Sequence, residues 1–311
     1  MKQALNVVLS LLLTAGWSAA QTSAPQISSA RSSAASPNTP VNLSTGTDPA
    51  QASAASSPAE ALISALKRSW LAEARGEAVL ELVFPPSSTP LRRAHALPRL
   101  AAVPALIRRN FDVTVGALEA LAGRPALRYT LTPRNAQAAR WTVWIDQKWK
   151  VPLAYQERTP DGSLARRAEL TGVNPALARL AVAAPTAPLA GSRAPKIQAL
   201  KRALLSALPG LKLPAGFEPL SVQRHTGPAG NTSTEVLLTD GLNLLALVVS
   251  PRPVQAASGV AVRRLKGQSV WLVGNLPQST LEDTLSSIRS LDAQAVSSLP
   301  GTSGPPAASD Q

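Results

Sequence analysis

The sequence predicts an α+β protein built on an antiparallel sheet with a covering helix, followed by a smaller α+β domain. Three observations predict this class. Runs of alternating polar and apolar residues follow one another with short turns between them. An amphipathic helix precedes these runs, and strands and helices do not alternate as they do in parallel-sheet proteins.

The two ends of the chain are expected to lie outside the folded domains. The start combines Lys2, the apolar run "ALNVVLSLLLTAGW" and small residues up to Ala20, which is typical of a secretory signal peptide. No other apolar run approaches the roughly 18 residues that cross a bilayer. We therefore expect an exported chain that is soluble after cleavage, in the periplasm or otherwise outside the cytoplasm.

Composition shifts divide the chain into six segments. Ser, Ala, Pro and Thr dominate the parts that cannot bury enough apolar surface to fold. The expected segments are a signal peptide (1–20), a disordered leader (21–57), a first domain (58–179), a linker (180–195), a second domain (196–294) and a disordered tail (295–311).

Charge and cysteine content limit the possible functions. The chain has no cysteine, which removes disulfides, thiolate metal sites and cysteine nucleophiles. Its formal net charge of +13 favours an anionic partner. However, the basic residues are scattered as "LRR", "IRR", "ARR" and "VRR", and export argues against nucleic acid. The charge is therefore either solubilising or a means of binding an anionic envelope polymer.

The first domain opens with the helix "SPAEALISALKRSWLAEA". Ser57 can cap it, Pro58 suits its first position, and apolar residues recur at helical spacing at Leu62, Leu66, Trp70 and Leu71. The strand "GEAVLELVF" follows and ends at two prolines. Residues 87–109 are interrupted by Arg and Pro, and their pattern predicts no element.

A meander of strands is predicted from Phe111 onward. "FDVTVGALEALAGRPALRYTLTPR" indicates a strand, a connection and a strand, and further strands are expected near 139–146, 153–158 and 163–173. The last two are joined by a turn at "TPDGS". Because strand residues alternate between faces, Trp141 is expected in the core and Trp144 on the opposite face, where an apolar partner could bind.

The second domain begins with the helix "KIQALKRALLSAL", which Pro209-Gly210 ends. Two strands then flank an Asp240-Gly241 turn in "TSTEVLLTDGLNLLALVVSP", and "GVAVRRLKG" with "QSVWLVGNLP" predicts another hairpin. The helix "PQSTLEDTLSSIRSL" closes the domain, with Ser279 and Glu282 at capping-box spacing.

The motifs of enzymes are missing from the sequence. His95 and His225 stand alone in basic, loop-like segments without a second ligand at metal-binding spacing. Neither a nucleophile elbow nor a phosphate-binding glycine loop is present. Asp146 and Asp161 lie where strand ends and turns favour aspartate. We therefore expect no catalytic residue, no cofactor and no metal.

Two sets of motifs resemble one protein family. In the first domain these are "LAGRPALRYTLTPR" and "RWTVWIDQKWKVPLAYQERTPDGSLARRAELTGV"; in the second they are "LPAGF", "LLTDGLNLLALVVSP" and "SVWLVGNLPQSTLEDTLSSI". In this order they resemble the RseB/MucB family of sigma-E factor regulatory proteins. The resemblance implies a curved first sheet like that of the lipoprotein carriers LolA and LolB, here in a shortened form.

The same resemblance implies a non-enzymatic regulator of envelope-stress signalling. Such a protein binds the extracytoplasmic domain of an anti-sigma factor, and candidate contact residues on the second domain are Leu242, Leu244 and Trp271. An alternative is a lipid or lipoprotein carrier whose acyl-chain face includes Phe111, Trp144 and Tyr155. A third interpretation is a binder of an anionic envelope polymer.

Overall fold

The computed structural model describes residues 57–84, 89–180, 194–226 and 231–301. The predicted signal peptide lies outside these residues, as do most of the predicted leader, linker and tail. Within the described part of the chain, no helix is both long enough and apolar enough to cross a membrane.

Two antiparallel sheets organise the fold, as the sequence predicts. The helices are α1 (Pro58–Arg68), α2 (Pro104–Asn110), α3 (Ala194–Ala207), α4 (Gln278–Ser286) and α5 (Ala293–Ser297). The strands are β1 (Ala72–Glu73), β2 (Arg75–Leu82), β3 (Leu91–Ala96), β4 (Phe111–Leu121), β5 (Arg124–Pro133), β6 (Arg140–Asp146), β7 (Pro152–Arg158), β8 (Leu164–Val173), β9 (Ala178–Arg179), β10 (Glu218–Thr226), β11 (Thr232–Thr239), β12 (Leu244–Ser250), β13 (Val260–Leu265) and β14 (Gln268–Gly274). The larger sheet has seven strands in the order β3-β2-β8-β7-β6-β5-β4, the smaller sheet has five in the order β10-β11-β12-β14-β13, and β1 pairs with β9.

Helix α1 forms where its cap and its apolar spacing predict it. The Ser57 hydroxyl accepts a hydrogen bond from the backbone N–H of Glu60 at 3.4 Å. The buried face of α1 packs on the larger sheet through Leu62, Ile63, Ala65 and Leu66. The helix ends at Arg68, so Leu71 is not part of this face and its surface is 58% exposed.

The meander of the first domain follows the predicted strands, but β4 is longer than predicted and the unassigned segment before it is ordered. Strand β4 continues to Leu121, with a register irregularity between Val115 and Leu118, where the sequence suggested a longer connection. The reason is a two-residue turn in which Ala122 (φ 48°) and Gly123 (φ 73°) both adopt left-handed backbone conformations, the geometry of a tight hairpin. The unassigned segment forms β3 and α2, so His95 lies on a strand and not in a loop.

The second domain contains two elements that the pattern did not predict, β10 and α5. Strand β10 places His225 in a sheet, and α5 carries the domain to Leu299, which is buried. The predicted capping box of α4 is wrong: the helix is capped at Pro277 without a side-chain hydrogen bond. Instead, Gln278 donates to the Glu282 carboxylate at 2.9 Å, one turn along the helix.

The two domains interlock through their cores. Leu242, from the hairpin turn between β11 and β12, packs within the apolar core of the first domain. Ala138, from the connection between β5 and β6, packs within the core of the second domain. Each domain therefore contributes a residue to the core of the other. The contact between them fixes the orientation of one domain relative to the other.

Candidate functional site at the interdomain joint

The turn that joins β11 to β12 is the centre of the contact between domains. Its residues, Asp240 to Asn243, we call the DGLN turn. One oxygen of the Asp240 carboxylate accepts from the backbone N–H groups of Leu242 (3.1 Å) and Asn243 (2.9 Å). The other oxygen accepts from the Asn243 side chain at 2.7 Å. The aspartate thereby fixes the shape of the turn.

Asn243 links this turn to the sheet of the first domain. Its side-chain oxygen accepts the indole N–H of Trp141 at 2.7 Å, and its side-chain nitrogen also donates to the backbone carbonyl of Ala139 at 3.2 Å. Trp141 and Asn243 are both buried, with 1% and 2% of their surfaces exposed. Since buried polar groups need partners, these bonds hold the two domains in one arrangement.

Gly241 allows the backbones of the two domains to approach closely. Its φ is +125°, and its carbonyl accepts the backbone N–H of Val103 at 2.9 Å. A Cβ atom at this position would lie 2.7 Å from the backbone nitrogen of Ile107. Only glycine therefore fits here without a shift of the adjoining helix α2.

We expect the substitution Gly241→Ala to weaken the joint. The added methyl group meets backbone atoms that cannot rotate away, and the left-handed conformation penalises alanine, so the free energy of unfolding should fall by about 1–3 kcal/mol. Urea unfolding followed by circular dichroism measures this. Gly162→Ala, at another positive-φ glycine with open space around its Cβ position, tests the conformational penalty alone.

A second set of hydrogen bonds surrounds the turn. The Asn110 side chain donates to the backbone carbonyls of Gly216 and Asp240, each at 2.8 Å. Asn135 donates to the carbonyl of Ala215 at 3.2 Å. These bonds join the end of α2 and the β5–β6 connection to the segment before β10 and to the DGLN turn. The contact between the domains is therefore broad, and asparagine side chains make many of its hydrogen bonds.

Buried carboxylates at the joint include Glu157 and Asp240. Glu157 is 5% exposed and forms an ion pair with Arg166, and Asn275 of the second domain donates to its other oxygen at 2.8 Å. Burial raises the pKa of Asp240 to about 6, an effect that the negative charge of Glu157 increases and the turn's hydrogen bonds oppose. The charge state of the joint is therefore sensitive to mild acid.

The other ionisable residues singled out in the sequence have structural contacts. Although burial raises the pKa of Asp146, the Arg124 guanidinium and two backbone N–H groups hold it below its ordinary value. Asp161 accepts from the backbone of Ser163 in the predicted turn. The Nε2 atom of His225 lies 3.4 Å from a Glu235 carboxylate oxygen. None of the described residues forms a cluster of three metal-ligating side chains.

The three predicted partner-binding residues do not form one surface. Leu242 is buried in the first domain's core with 2% of its surface exposed. Leu244 and Trp271 lie on the same face of the smaller sheet, since Val248, four residues along β12 from Leu244, is paired with Trp271. Leu244 is half-buried and Trp271 is 6% exposed. Leu242 therefore belongs to the contact between the domains, whereas Leu244 and Trp271 share one face of the smaller sheet.

This face lies opposite the helices of the smaller sheet, and we call it the outer face. It carries its own apolar cluster, whose six central residues are all buried. The cluster contains no helix residue and consists of Leu237, Ala246, Val248, Val260, Trp271 and Val273, with Leu220, Val254 and Val262 around them. Helices α3, α4 and α5 contribute to the opposite face. Within the described residues the buried indole N–H of Trp271 has no hydrogen-bond acceptor, and the Ser269 hydroxyl also lacks a partner.

The three residues predicted to line an acyl-chain face are separated. Phe111 and Tyr155 are buried in the core between α1 and the larger sheet, where burial raises the pKa of the tyrosine. Trp144 lies on the opposite face of the sheet, as predicted, across from Ala154. Its indole N–H donates to Glu119 at 2.7 Å, so this ring belongs to a polar, solvated face.

The space beneath the larger sheet is filled by protein. A cavity bordered by Tyr155 and the residues around Leu100 has a volume of about 20 Å³, whereas binding sites for small molecules have roughly 300–1,000 Å³. Trp141 and Tyr155 occupy the interior with ring centroids 6.0 Å apart, and Leu242 enters from the second domain. Within the described residues, Phe111 and Tyr155 therefore belong to a packed core that Leu242 completes.

All four arginine doublets make internal contacts, and Arg92 of the "LRR" doublet donates to the Thr89 hydroxyl at 2.9 Å. In the "IRR" doublet, Arg108 and Arg109 pair with carboxylates of α1 and β10. In the "ARR" doublet, both arginines pair with carboxylates on β7 and β8. In the "VRR" doublet, Arg263 donates to the carbonyls at the end of α4, where a cation is favourable. Many of the basic side chains therefore pair with carboxylates or backbone carbonyls of the same chain.

Comparison with known proteins identifies the fold but no relative by sequence. Neither the family models nor the curated proteins that were searched give a match. Among solved structures, MucB in complex with MucA(peri) matches with a TM-score of 0.51 and 18% identity, over 76% of this chain and 100% of that one. The Pseudomonas aeruginosa MucA/MucB complex and MucB itself match with TM-scores of 0.50 and the same identity, over 76% and 75% of this chain and 99% and 98% of theirs. The chain therefore has the two-domain α+β fold of MucB, the fold that its sequence motifs indicated.

Proposed function

We propose that the chain is an exported, non-enzymatic regulator that binds the extracytoplasmic part of a membrane-bound anti-sigma factor and so modulates envelope-stress signalling. The observation that carries this proposal is the match to the whole length of a MucB chain solved with the periplasmic part of MucA. The match covers 76% of this chain, more than either domain alone could supply, which favours a shared mode of action over a shared sheet alone.

The chemistry of the joint supports a binding role. Its buried carboxylates, Asp240 and Glu157, are occupied by hydrogen bonds and an ion pair that hold the domains together. A catalytic carboxylate would instead need access to a substrate. The joint therefore acts as a rigid support for surfaces on either domain.

The outer face of the smaller sheet is the surface that we propose for the partner. It is apolar and includes Leu244 and Trp271, and within the described residues the indole N–H of Trp271 and the Ser269 hydroxyl have no partners. The cluster is buried in the free chain, so a bound segment would displace what covers it. Such a segment could supply a backbone carbonyl to the indole N–H while its apolar side chains pack on the cluster. Buried hydrogen bonds of this kind fix the position of a bound segment.

The test is direct binding between the exported chain and the extracytoplasmic segments of anti-sigma factors from the same genome, measured by calorimetry. Trp271→Phe keeps an aromatic ring but removes the N–H together with the five-membered ring of the indole. Loss of the N–H breaks no hydrogen bond within the described residues, but the lost volume at a buried site should lower the free energy of unfolding by about 1–3 kcal/mol. The complex should weaken about fivefold to tenfold.

The matched control is Trp144→Phe, which removes an indole N–H on the far face of the other sheet and should leave affinity unchanged. Absence of binding to every such segment would overturn the proposed function. Binding that is equally strong in Trp271→Phe and Trp144→Phe would retain the function and exclude this face as the contact.

A further inference from the structure

The connection between β12 and β13 travels along the smaller sheet. β14 lies between these two strands and is antiparallel to both, so β12 and β13 run in the same direction and need a crossover connection. The chain leaves β12 at Ser250, beside Ser269, and enters β13 at Val260, beside Val273. At the usual rise of a strand these two partners on β14 are about 13 Å apart. Residues 251–259 make this return, and we call them the crossover strap.

The crossover strap passes over the outer face of the smaller sheet. Helices of the second domain pack on the opposite face, whereas Val254, in the middle of the strap, packs against the outer-face cluster that contains Trp271. Val254 is half-buried, and its neighbours Pro253 and Gln255 are exposed. Val254 is therefore the side chain through which the middle of the strap contacts the cluster.

Hydrogen bonds attach the crossover strap near its two ends. At the first end, the backbone N–H of Arg252 donates to the Ser250 hydroxyl at 3.2 Å. At the second end, Ala257 and Val260 exchange backbone hydrogen bonds of 3.1 and 2.9 Å. Between these ends, residues 253–256 make no hydrogen bond with any other residue that the structure describes. Segments held by so few bonds open locally at a low cost in free energy.

The second end of the strap is also held by packing. The backbone N–H of Gly259 donates to the side chain of Gln278 on α4 at 3.1 Å. A Cβ atom at Gly259 would lie 2.1 Å from the ring of Phe84 in the first domain, so the two residues are in close contact. This end is therefore fixed between α4 and the first domain, and the middle of the strap is the part that can move.

The strap is an incomplete cover for the face beneath it. The indole N–H of Trp271 and the hydroxyl of Ser269 are buried, and neither has a hydrogen-bond partner among the described residues. An unpaired buried donor costs free energy, which a segment that brought an acceptor to it would recover. An occupant with a backbone carbonyl near Trp271 therefore fits this face better than the strap does.

We propose that the crossover strap is an internal competitor for the partner site on the outer face, an inference that rests on the function proposed above. In the free chain the strap lies over Trp271. In the complex an extended, apolar segment of the anti-sigma factor takes its place, with an apolar side chain in the position of Val254 and a backbone carbonyl at the indole N–H. Because only the open chain binds, the open fraction reduces the apparent affinity below the intrinsic one.

Proton exchange at the Trp271 indole measures strap opening without any partner. Val254→Ser removes the apolar contact that holds the middle of the strap, so exchange of this N–H with water should become about threefold to tenfold faster. NMR on the free exported chain measures the rate, and Trp271→Phe identifies the resonance by its disappearance. Gln255→Ser, which changes an exposed side chain of the strap, is the matched control and should exchange at the wild-type rate.

Calorimetric titration of the same variants with the extracytoplasmic segments of anti-sigma factors from the same genome measures the competition. Val254→Ser should bind about threefold to tenfold more tightly than the wild type, because the open fraction rises by that factor. Gln255→Ser should bind as the wild type does, and circular dichroism checks that both variants remain folded.

Faster exchange and tighter binding in equal proportion would support the competition. Unchanged exchange in Val254→Ser, or faster exchange with unchanged or weaker binding, overturns it, while binding by the wild type retains the proposed function. Failure of every form of the chain, Val254→Ser included, to bind any segment overturns both.

Discussion

Leu242→Ala should lower the free energy of unfolding by about 2–5 kcal/mol, because it removes buried atoms and leaves a space that rigid neighbours cannot fill. The leucine is 2% exposed and belongs to the second domain's hairpin, but its contacts are in the first domain's core. Its loss should therefore destabilise the first domain and also uncouple the two. We expect one urea unfolding transition in the wild type and two in the variant.

The measurement is urea unfolding followed in parallel by tryptophan fluorescence and far-ultraviolet circular dichroism. The control is Leu91→Ala, which truncates a leucine that is 65% exposed on β3 and should change stability by less than about 0.5 kcal/mol. If Leu242→Ala behaved like this control, the DGLN turn would contribute little to the union of the domains.

Mild acid should stabilise the protein. Burial raises the pKa of Asp240 from an ordinary value of 3.8 to about 6, so the folded chain binds a proton at a pH where the unfolded chain does not. The free energy of unfolding should therefore rise as the pH falls from about 7 to about 4. A shift of about two pKa units corresponds to roughly 2–3 kcal/mol.

The opposite trend should begin below about pH 4. Asp146 has a lowered pKa, so its ionised form stabilises the fold, and this contribution is lost when it is protonated. Urea unfolding at a series of pH values measures both limbs. Asp240→Asn should abolish the rise between pH 6 and pH 4, and Asp161→Asn, in an exposed turn, should retain it. A wild-type stability that is flat or falls over that interval would contradict the assignment.

A stabilising effect of acid at the joint has a functional implication. If the joint orients the outer face of the smaller sheet, as we propose, binding of a partner segment and protonation of Asp240 are linked only where binding changes the pKa of Asp240. The pH dependence of the affinity, compared with that of Asp240→Asn, measures this linkage.

Local patterns determined much of the fold. Alternation of apolar residues located β5 to β8 and the hairpin of β13 and β14, because a sheet with one covered face requires that alternation. Apolar spacing and the Ser57 cap located α1. The pattern did not indicate β10, whose apolar residues are interrupted by polar ones, or the short β3.

The candidate site was largely beyond the reach of sequence patterns. Asp240-Gly241 has the composition of an ordinary hairpin turn, and its shape is indeed fixed by the aspartate. No spacing along the chain indicates that Asn243 meets Trp141 or that Ile107 excludes a side chain at Gly241. Those contacts join segments about a hundred or more residues apart, so they depend on how the two sheets pack.

The sequence by itself determined the fold class, the order of most elements and the opposite faces of Trp141 and Trp144, since each follows from the period of a helix or strand. Only the tertiary structure decided which apolar residues are accessible. Leu242 and Leu244 are equally apolar in the sequence, yet one fills the neighbouring domain's core and the other borders an outer face. Burial depends on what a distant part of the chain brings into contact, and no local pattern carries that information.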